Sequence, residues 1–162
     1  MNILFVCTGN TCRSPMAEGI FKDMLMKNNI NNISVSSAGI SVFPGEHASE
    51  KAIKALKEKG IDITGHRARQ LRDEINNVDL ILTMTLSHKM IISDYLKNET
   101  DEKSPRLFTL KEFAAKLSGE KLTDTDIVDP YGKNYNFYKN SRDEIEKELI
   151  KILKNLDKLE GI

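Results

Sequence analysis

Four apolar residues in a row, Ile3-Leu4-Phe5-Val6, run directly into a polar stretch, Cys7 to Arg13, and then into Ser14-Pro15 and an amphipathic segment. A short unbroken apolar run reads as a strand buried on both faces, which requires helices above and below it. Gly9 and Asn10 mark the polar stretch as a loop. Ser14 suits a helix N-cap and Pro15 the first helical position. Ile20, Phe21, Met24 and Leu25 then recur at helical spacing as a core stripe.

The alternation continues along the chain. Ile33-Ser34-Val35 reads as a second strand, ending near Ser36-Ser37-Ala38-Gly39. Glu46 to Lys59 reads as a helix with Ala52, Ile53 and Leu56 inward, closed by Gly60. Val78 to Met84 is the third strand, Thr85 to Leu96 the next helix, and Arg106-Leu107-Phe108 a short fourth strand. From Asn140 a long terminal helix carries Ile145, Leu149, Ile152, Leu153, Leu156 and Leu159 on one face. Strands alternating with helices imply right-handed crossovers and a parallel sheet covered on both faces. Without repeats, low-complexity tracts or a Pro/Gly-rich linker, residues 1–162 read as a single α/β domain. In such sheets ligands bind at the carboxyl ends of the strands, where the loop from Cys7 lies.

Composition narrows the function classes. Lys plus Arg and Asp plus Glu are both 24, so the chain lacks the basic excess of a general nucleic-acid binder. No apolar run approaches the ~20 residues of a membrane span, and the N-terminus lacks the basic and apolar regions of a signal peptide. Two cysteines in 162 residues do not make a disulfide scaffold. These features point to a cytoplasmic protein, with neither membrane nor nucleic acid as partner, expected to be a monomer.

The loop itself carries chemistry. Each residue from Thr8 to Arg13 has a backbone N–H, since none is proline. A loop of this length can curl around a tetrahedral oxyanion, with Thr8, Gly9, Asn10, Thr11, Cys12 and Ser14 as phosphate-binding candidates. The following helix adds its positive end. Arg13 supplies a planar fork for two phosphate oxygens. Cys7 then sits as a nucleophile beneath a phosphate cradle, its thiolate stabilised by the same field. The Cys-x5-Arg spacing alone is a weak signal, which the strand before it and the helix start after it strengthen. The loop is not a Walker A motif, because no Gly-Lys-Ser/Thr follows. Two cysteines and no His pair at ligand spacing argue against zinc, so no metal and no cofactor are expected. Phosphate cleavage also needs a proton for the leaving group. Asp129 in Asp129-Pro130-Tyr131-Gly132 is the candidate, its direction restricted by the proline turn.

Val6-Cys7-Thr8-Gly9-Asn10-Thr11-Cys12-Arg13-Ser14-Pro15-Met16-Ala17-Glu18 resembles the signature of the low-molecular-weight protein tyrosine phosphatase family. The likeness extends through Ser36-Ser37-Ala38-Gly39, His66-Arg67-Ala68-Arg69-Gln70-Leu71 and Asp129-Pro130-Tyr131, nearly the whole chain. It implies a four-stranded parallel sheet, Cys7 as nucleophile, Arg13 as phosphate clamp, and Asp129 as general acid and then general base. It also implies a supporting hydrogen-bond network of Asn10, Ser14, Ser37 and His66, with Ser14 holding the Cys7 thiolate, and phosphorylated proteins as substrates.

Within the family the bacterial protein-arginine phosphatases look most similar, because they carry Thr where tyrosine-specific members usually carry Ile, and Thr11 stands here. The segments Met84 to Lys89 and Phe108 to Phe113 resemble that subgroup too, and Gly132 follows Tyr131 where tyrosine-specific members often have a second aromatic. The expected activity is therefore phosphoarginine hydrolysis in proteins, with phosphotyrosine as the alternative. A thiol-dependent arsenate reductase would need cysteines beyond Cys12, and an anion-binding module would need no general acid. Two readings of Cys12 stand open: a small residue packed behind the cradle, or a redox partner that traps oxidised Cys7 as a disulfide.

Overall fold

The computed structural model describes residues 1–98 and 104–161. Strands β1 (Asn2–Cys7), β2 (Ser34–Gly39), β3 (Leu80–Thr83) and β4 (Arg106–Thr109) form one parallel sheet in the order β2-β1-β3-β4. The side-chain period of two divides β1 between two cores. Ile3, Phe5 and Cys7 face one, Leu4 and Val6 the other.

The first core lies under α1 (Arg13–Lys27), α5 (Leu110–Ser118) and α6 (Tyr135–Leu153), with α2 (Glu50–Lys57) against α1 and α6. The second lies under α3 (Leu71–Glu74) and α4 (Leu86–Asn98). Both faces are thus covered by helices, as the unbroken apolar run of β1 requires. The chain leaves β1 for one neighbour, β2, and returns on the other side as β3, so the strand order reverses beside β1. That is the ligand crevice of an open α/β sheet, and the Cys7 loop stands in it. Among the described residues no helix is long and apolar enough to cross a membrane.

Several boundaries differ from the sequence expectation. Helix α1 begins at Arg13 with Cys12 at the N-cap, so Ser14 is not the cap. Its hydroxyl is engaged by Cys7 and Asn10 instead. Pro15 falls within the first turn, where its missing N–H has no helical acceptor to lose. Helix α2 starts at Glu50, because Ser49 caps it by accepting from the Ala52 N–H. The expected start at Glu46 is loop, where the Glu46 carbonyl accepts from the Ala68 N–H instead. Helix α6 starts at Tyr135, before Asn140, capped by Asn134. It ends at Leu153, and Leu156 and Leu159 sit in a 3₁₀ turn, Leu156–Gly161. Helices α3 and α5 were not anticipated. The second carries a readable signal, a Thr109/Glu112 capping box and a left-handed Gly119 at its C-cap.

Candidate active site

The loop between β1 and α1 is tied down by its carbonyls. The Cys7 carbonyl accepts from the Ile40 N–H (3.1 Å), Thr8 from Ser41 (3.0 Å) and Thr11 from Ser49 (2.8 Å). The Asn10 carbonyl accepts from His66 Nε2 at 2.7 Å, which places a proton on that nitrogen. Among the described residues no peptide is cis, and in a trans peptide N–H and C=O point opposite ways. Carbonyls held outward therefore turn the N–H groups of Thr8, Gly9, Thr11 and Cys12 toward the inside of the loop, an anion-binding concavity at a helix N-terminus. Gly39 allows the close approach: a Cβ there would stand 2.5 Å from the Thr8 carbonyl oxygen and 3.0 Å from the Asn10 nitrogen.

Asn10 is fully buried in the left-handed region, φ 55°, which Asn tolerates better than most residues. Its Oδ1 accepts from the Arg69 N–H (3.0 Å), and its Nδ2 donates to Ser14 Oγ and Ser37 Oγ, both at 2.9 Å. Ser37 Oγ donates to Glu18 Oε2 at 2.5 Å, and Glu18 also faces Arg69. Ser14 Oγ stands 2.9 Å from Cys7 Sγ, so the chain of bonds ends at the thiol. The expected network of Asn10, Ser14, Ser37 and His66 is thus brought together. Burial pushes the His66 pKa below its ordinary value, opposed by its bond to Asn10.

Arg13 is 3% exposed. Its Nη1 donates to the Ile127 carbonyl (3.1 Å) and its Nη2 pairs with Asp129 Oδ2 (3.0 Å). Its buried Nε has no partner among the described residues and is left as a donor. The Asp129 loop is fixed from both sides, since the Ile127 N–H donates to the Met84 carbonyl beyond β3 and Ser141 on α6 donates to the Val128 carbonyl. Asp129 Oδ1 accepts from the Tyr131 N–H (3.1 Å), which orients the carboxylate within its turn.

These pieces enclose a cavity of about 260 Å³. Cys7, Thr8, Gly9, Thr11, Cys12 and Arg13 form its floor, and Ser41, Phe43, Glu46, Asp129 and Tyr131 its walls. Asn10 and Ser14, expected to touch phosphate, are fully buried and outside this lining, as is Ser37, while the half-buried His66 also lies outside it. Their side chains brace the loop from behind. A larger cavity of about 630 Å³ lies against α1 and the segment 60–69, but it holds no cysteine. The smaller one holds both Cys7 and Cys12.

Cys12 is buried, its Sγ 3.5 Å from Ser49 Oγ and 3.6 Å from the Tyr138 hydroxyl. Burial and the neighbouring Cys12 push the Tyr138 pKa up to about 12. Both cysteines are free thiols. The sequence reading missed Ser41, Phe43, Glu46 and His88, whose Nε2 lies 2.9 Å from Thr8 Oγ1. Only the Pro44-Gly45 turn beside Phe43 offered a local signal, an apolar aromatic placed in a loop.

The family model described as low molecular weight phosphotyrosine protein phosphatase matches residues 2–160. A protein-arginine-phosphatase of Bacillus subtilis (strain 168) is 40% identical over 159 residues, 98% of each chain. The low molecular weight protein-tyrosine-phosphatase PtpB of Staphylococcus haemolyticus is 35% identical over 146 residues, 90% of this chain and 92% of that one. Among solved structures, the YwlE arginine phosphatase, in a cysteine-to-serine mutant with a phosphorylated active-site serine, superposes with a TM-score of 0.85 at 39% identity and covers 99% of both chains.

Proposed function

The chain belongs to the low molecular weight phosphotyrosine protein phosphatase family, and we propose that it hydrolyses phosphoarginine in proteins through a thiophosphoryl intermediate on Cys7. The observation that carries the choice of substrate is Thr11 on the cavity floor. A branched aliphatic side chain at this position packs against a phenyl ring. A threonine leaves room and offers a hydroxyl to a guanidinium. Thr11 Oγ1 makes a long 3.7 Å contact with Cys12 Sγ, weak enough to yield to such a partner. The identity to protein-arginine-phosphatases supports the same reading.

The chemistry proceeds in two displacements. The Cys7 thiolate attacks phosphorus, an S–P bond forms, and the P–N bond to the guanidine breaks. Asp129 donates a proton to the departing nitrogen. Water then attacks phosphorus, Asp129 takes its proton, and the S–P bond breaks to release phosphate and regenerate the thiolate. Inward amides and the Arg13 fork stabilise the charge on the transferring group in both steps. Ser14 donates its hydroxyl to the thiolate whenever Cys7 is the free anion.

Phosphotyrosine is the second reading, favoured by the exposed aromatic walls Phe43 and Tyr131, which suit a phenyl ring. The test of the shared chemistry is turnover by Cys7→Ser, which should be abolished while phosphate still competes for the site. Hydrolysis surviving that substitution contradicts the intermediate.

A further inference from the structure

We propose that His88 is a positioning residue of this site, acting through the Thr8 hydroxyl on the first peptides of the phosphate loop. The inference rests on the phosphatase reading above.

His88 lies in the first turn of α4 and is 7% exposed. Its N–H donates to Thr85 Oγ1 (3.2 Å), which fixes its place at the helix start. Its Nε2 stands 2.9 Å from Thr8 Oγ1. Its other ring nitrogen, Nδ1, is buried and has no partner among the described residues. A buried donor without a partner is costlier and rarer than a buried acceptor without one. The proton therefore belongs on Nε2, aimed at Thr8 Oγ1. Burial and the nearby Arg13 charge hold the ring neutral, with a pKa lowered to about 4. A neutral ring with its one proton committed to Thr8 is a strut, not an acid or base.

Thr8 is held from a second side as well. Its carbonyl accepts from the Ser41 N–H at 3.0 Å, which sets the Thr8–Gly9 peptide plane and turns the Gly9 N–H inward. The carbonyl bond fixes one end of the residue, and His88 fixes the side chain. Thr8 is exposed at the cavity, so without that strut its side chain is free to rotate and the first two amides of the cradle are held only by the Ile40 and Ser41 bonds to the carbonyls beside them, which loosens their alignment.

The test compares His88→Leu, His88→Gln, His88→Asn, Thr8→Val and the double variant Thr8→Val/His88→Leu. The assays are turnover of p-nitrophenyl phosphate and of a phosphoarginine peptide, each with inorganic phosphate as competitive inhibitor. The phosphate inhibition constant is independent of how much of a variant is folded, so a merely structural role does not move it. Gln carries its amide nitrogen as many bonds from Cβ as Nε2, whereas Asn reaches only the place of Nδ1. His88→Leu, His88→Asn and Thr8→Val should each raise that constant about three- to tenfold, the share of one hydrogen bond. The double variant should be no worse than either single one, and His88→Gln should restore most of the loss. An unchanged constant, losses that multiply in the double variant, or equal behaviour of Gln and Asn would overturn the proposal. Failure of the phosphatase reading looks different: the unsubstituted protein would turn over neither substrate.

Discussion

Arg13 Nη2 stands 3.0 Å from Asp129 Oδ2, joining a buried guanidinium just after β1 to a half-exposed carboxylate just before α6. The partners differ in freedom. Arg13 is anchored by its second nitrogen to the Ile127 carbonyl, while Asp129 stands at the cavity wall on a proline turn. In the proposed mechanism the fixed group serves as the clamp and the freer one faces the leaving group, the division of labour that in-line phosphoryl transfer needs.

Replacing Asp129 with Asn keeps the shape and removes the transferable proton. Turnover of a phosphoarginine peptide should fall by about 10²–10⁴-fold, the usual share of general acid–base catalysis. The loss should shrink for p-nitrophenyl phosphate, whose leaving group needs little help. Equal losses on both substrates in steady-state assays would show that Asp129 does not protonate the leaving group.

Thr11→Ile should move the preference from phosphoarginine toward phosphotyrosine. A hydrogen bond to a charged guanidinium is worth roughly 1.5–3 kcal/mol, or about one to two decades in the ratio of kcat/KM values. Matched peptides assayed in parallel read the ratio directly, and an unchanged ratio removes Thr11 from substrate choice.

His88 links stability to pH. Its folded pKa of about 4 lies below the ordinary 6.5, so between those values the unfolded chain binds more protons than the folded one. Stability therefore falls as pH drops from about 6.5 to 4, by up to ~3 kcal/mol from this group. Thermal or urea unfolding across that window should show a shallower decline for His88→Gln. Parallel curves for both proteins would mean that the ring is protonated in the fold.

Cys12 shares the cavity floor with Cys7, and we propose that it serves as a redox partner. Peroxide converts the Cys7 thiolate to a sulfenic acid, and the Cys12 thiol displaces water from it to close a disulfide. A dithiol reductant should then restore activity in the unsubstituted protein, while Cys12→Ser stays inactivated. Mass spectrometry should find the Cys7–Cys12 link. Over-oxidised Cys7 alone, or full recovery by Cys12→Ser, would leave Cys12 as packing between Ser49 and Tyr138.

The strands were legible because a doubly covered parallel strand leaves a short, unbroken apolar run, as Ile3 to Val6 does. The helix starts were less so, for reasons visible residue by residue. Ser14 has the chemistry of a cap, yet tertiary partners claim its hydroxyl. Tyr135 to Lys139 mixes aromatic and polar residues without a stripe, so the first turns of α6 passed for loop. Cys7, Arg13 and Asp129 were readable because the cradle is contiguous and the acid sits in a marked turn. Ser41, Phe43 and Glu46 at the cavity and His88 against Thr8 were not, because they come together only through the parallel order of β2, β1 and β3, which carries the ends of separate strands to one edge.

The most direct test of the account is kcat/KM of the unsubstituted protein on a phosphoarginine peptide and a phosphotyrosine peptide of otherwise identical sequence. Turnover of both should vanish in Cys7→Ser, and the arginine peptide should be preferred by about tenfold or more, the low end of the Thr11 contribution. Equal turnover, or a preference for the tyrosine peptide, would contradict it.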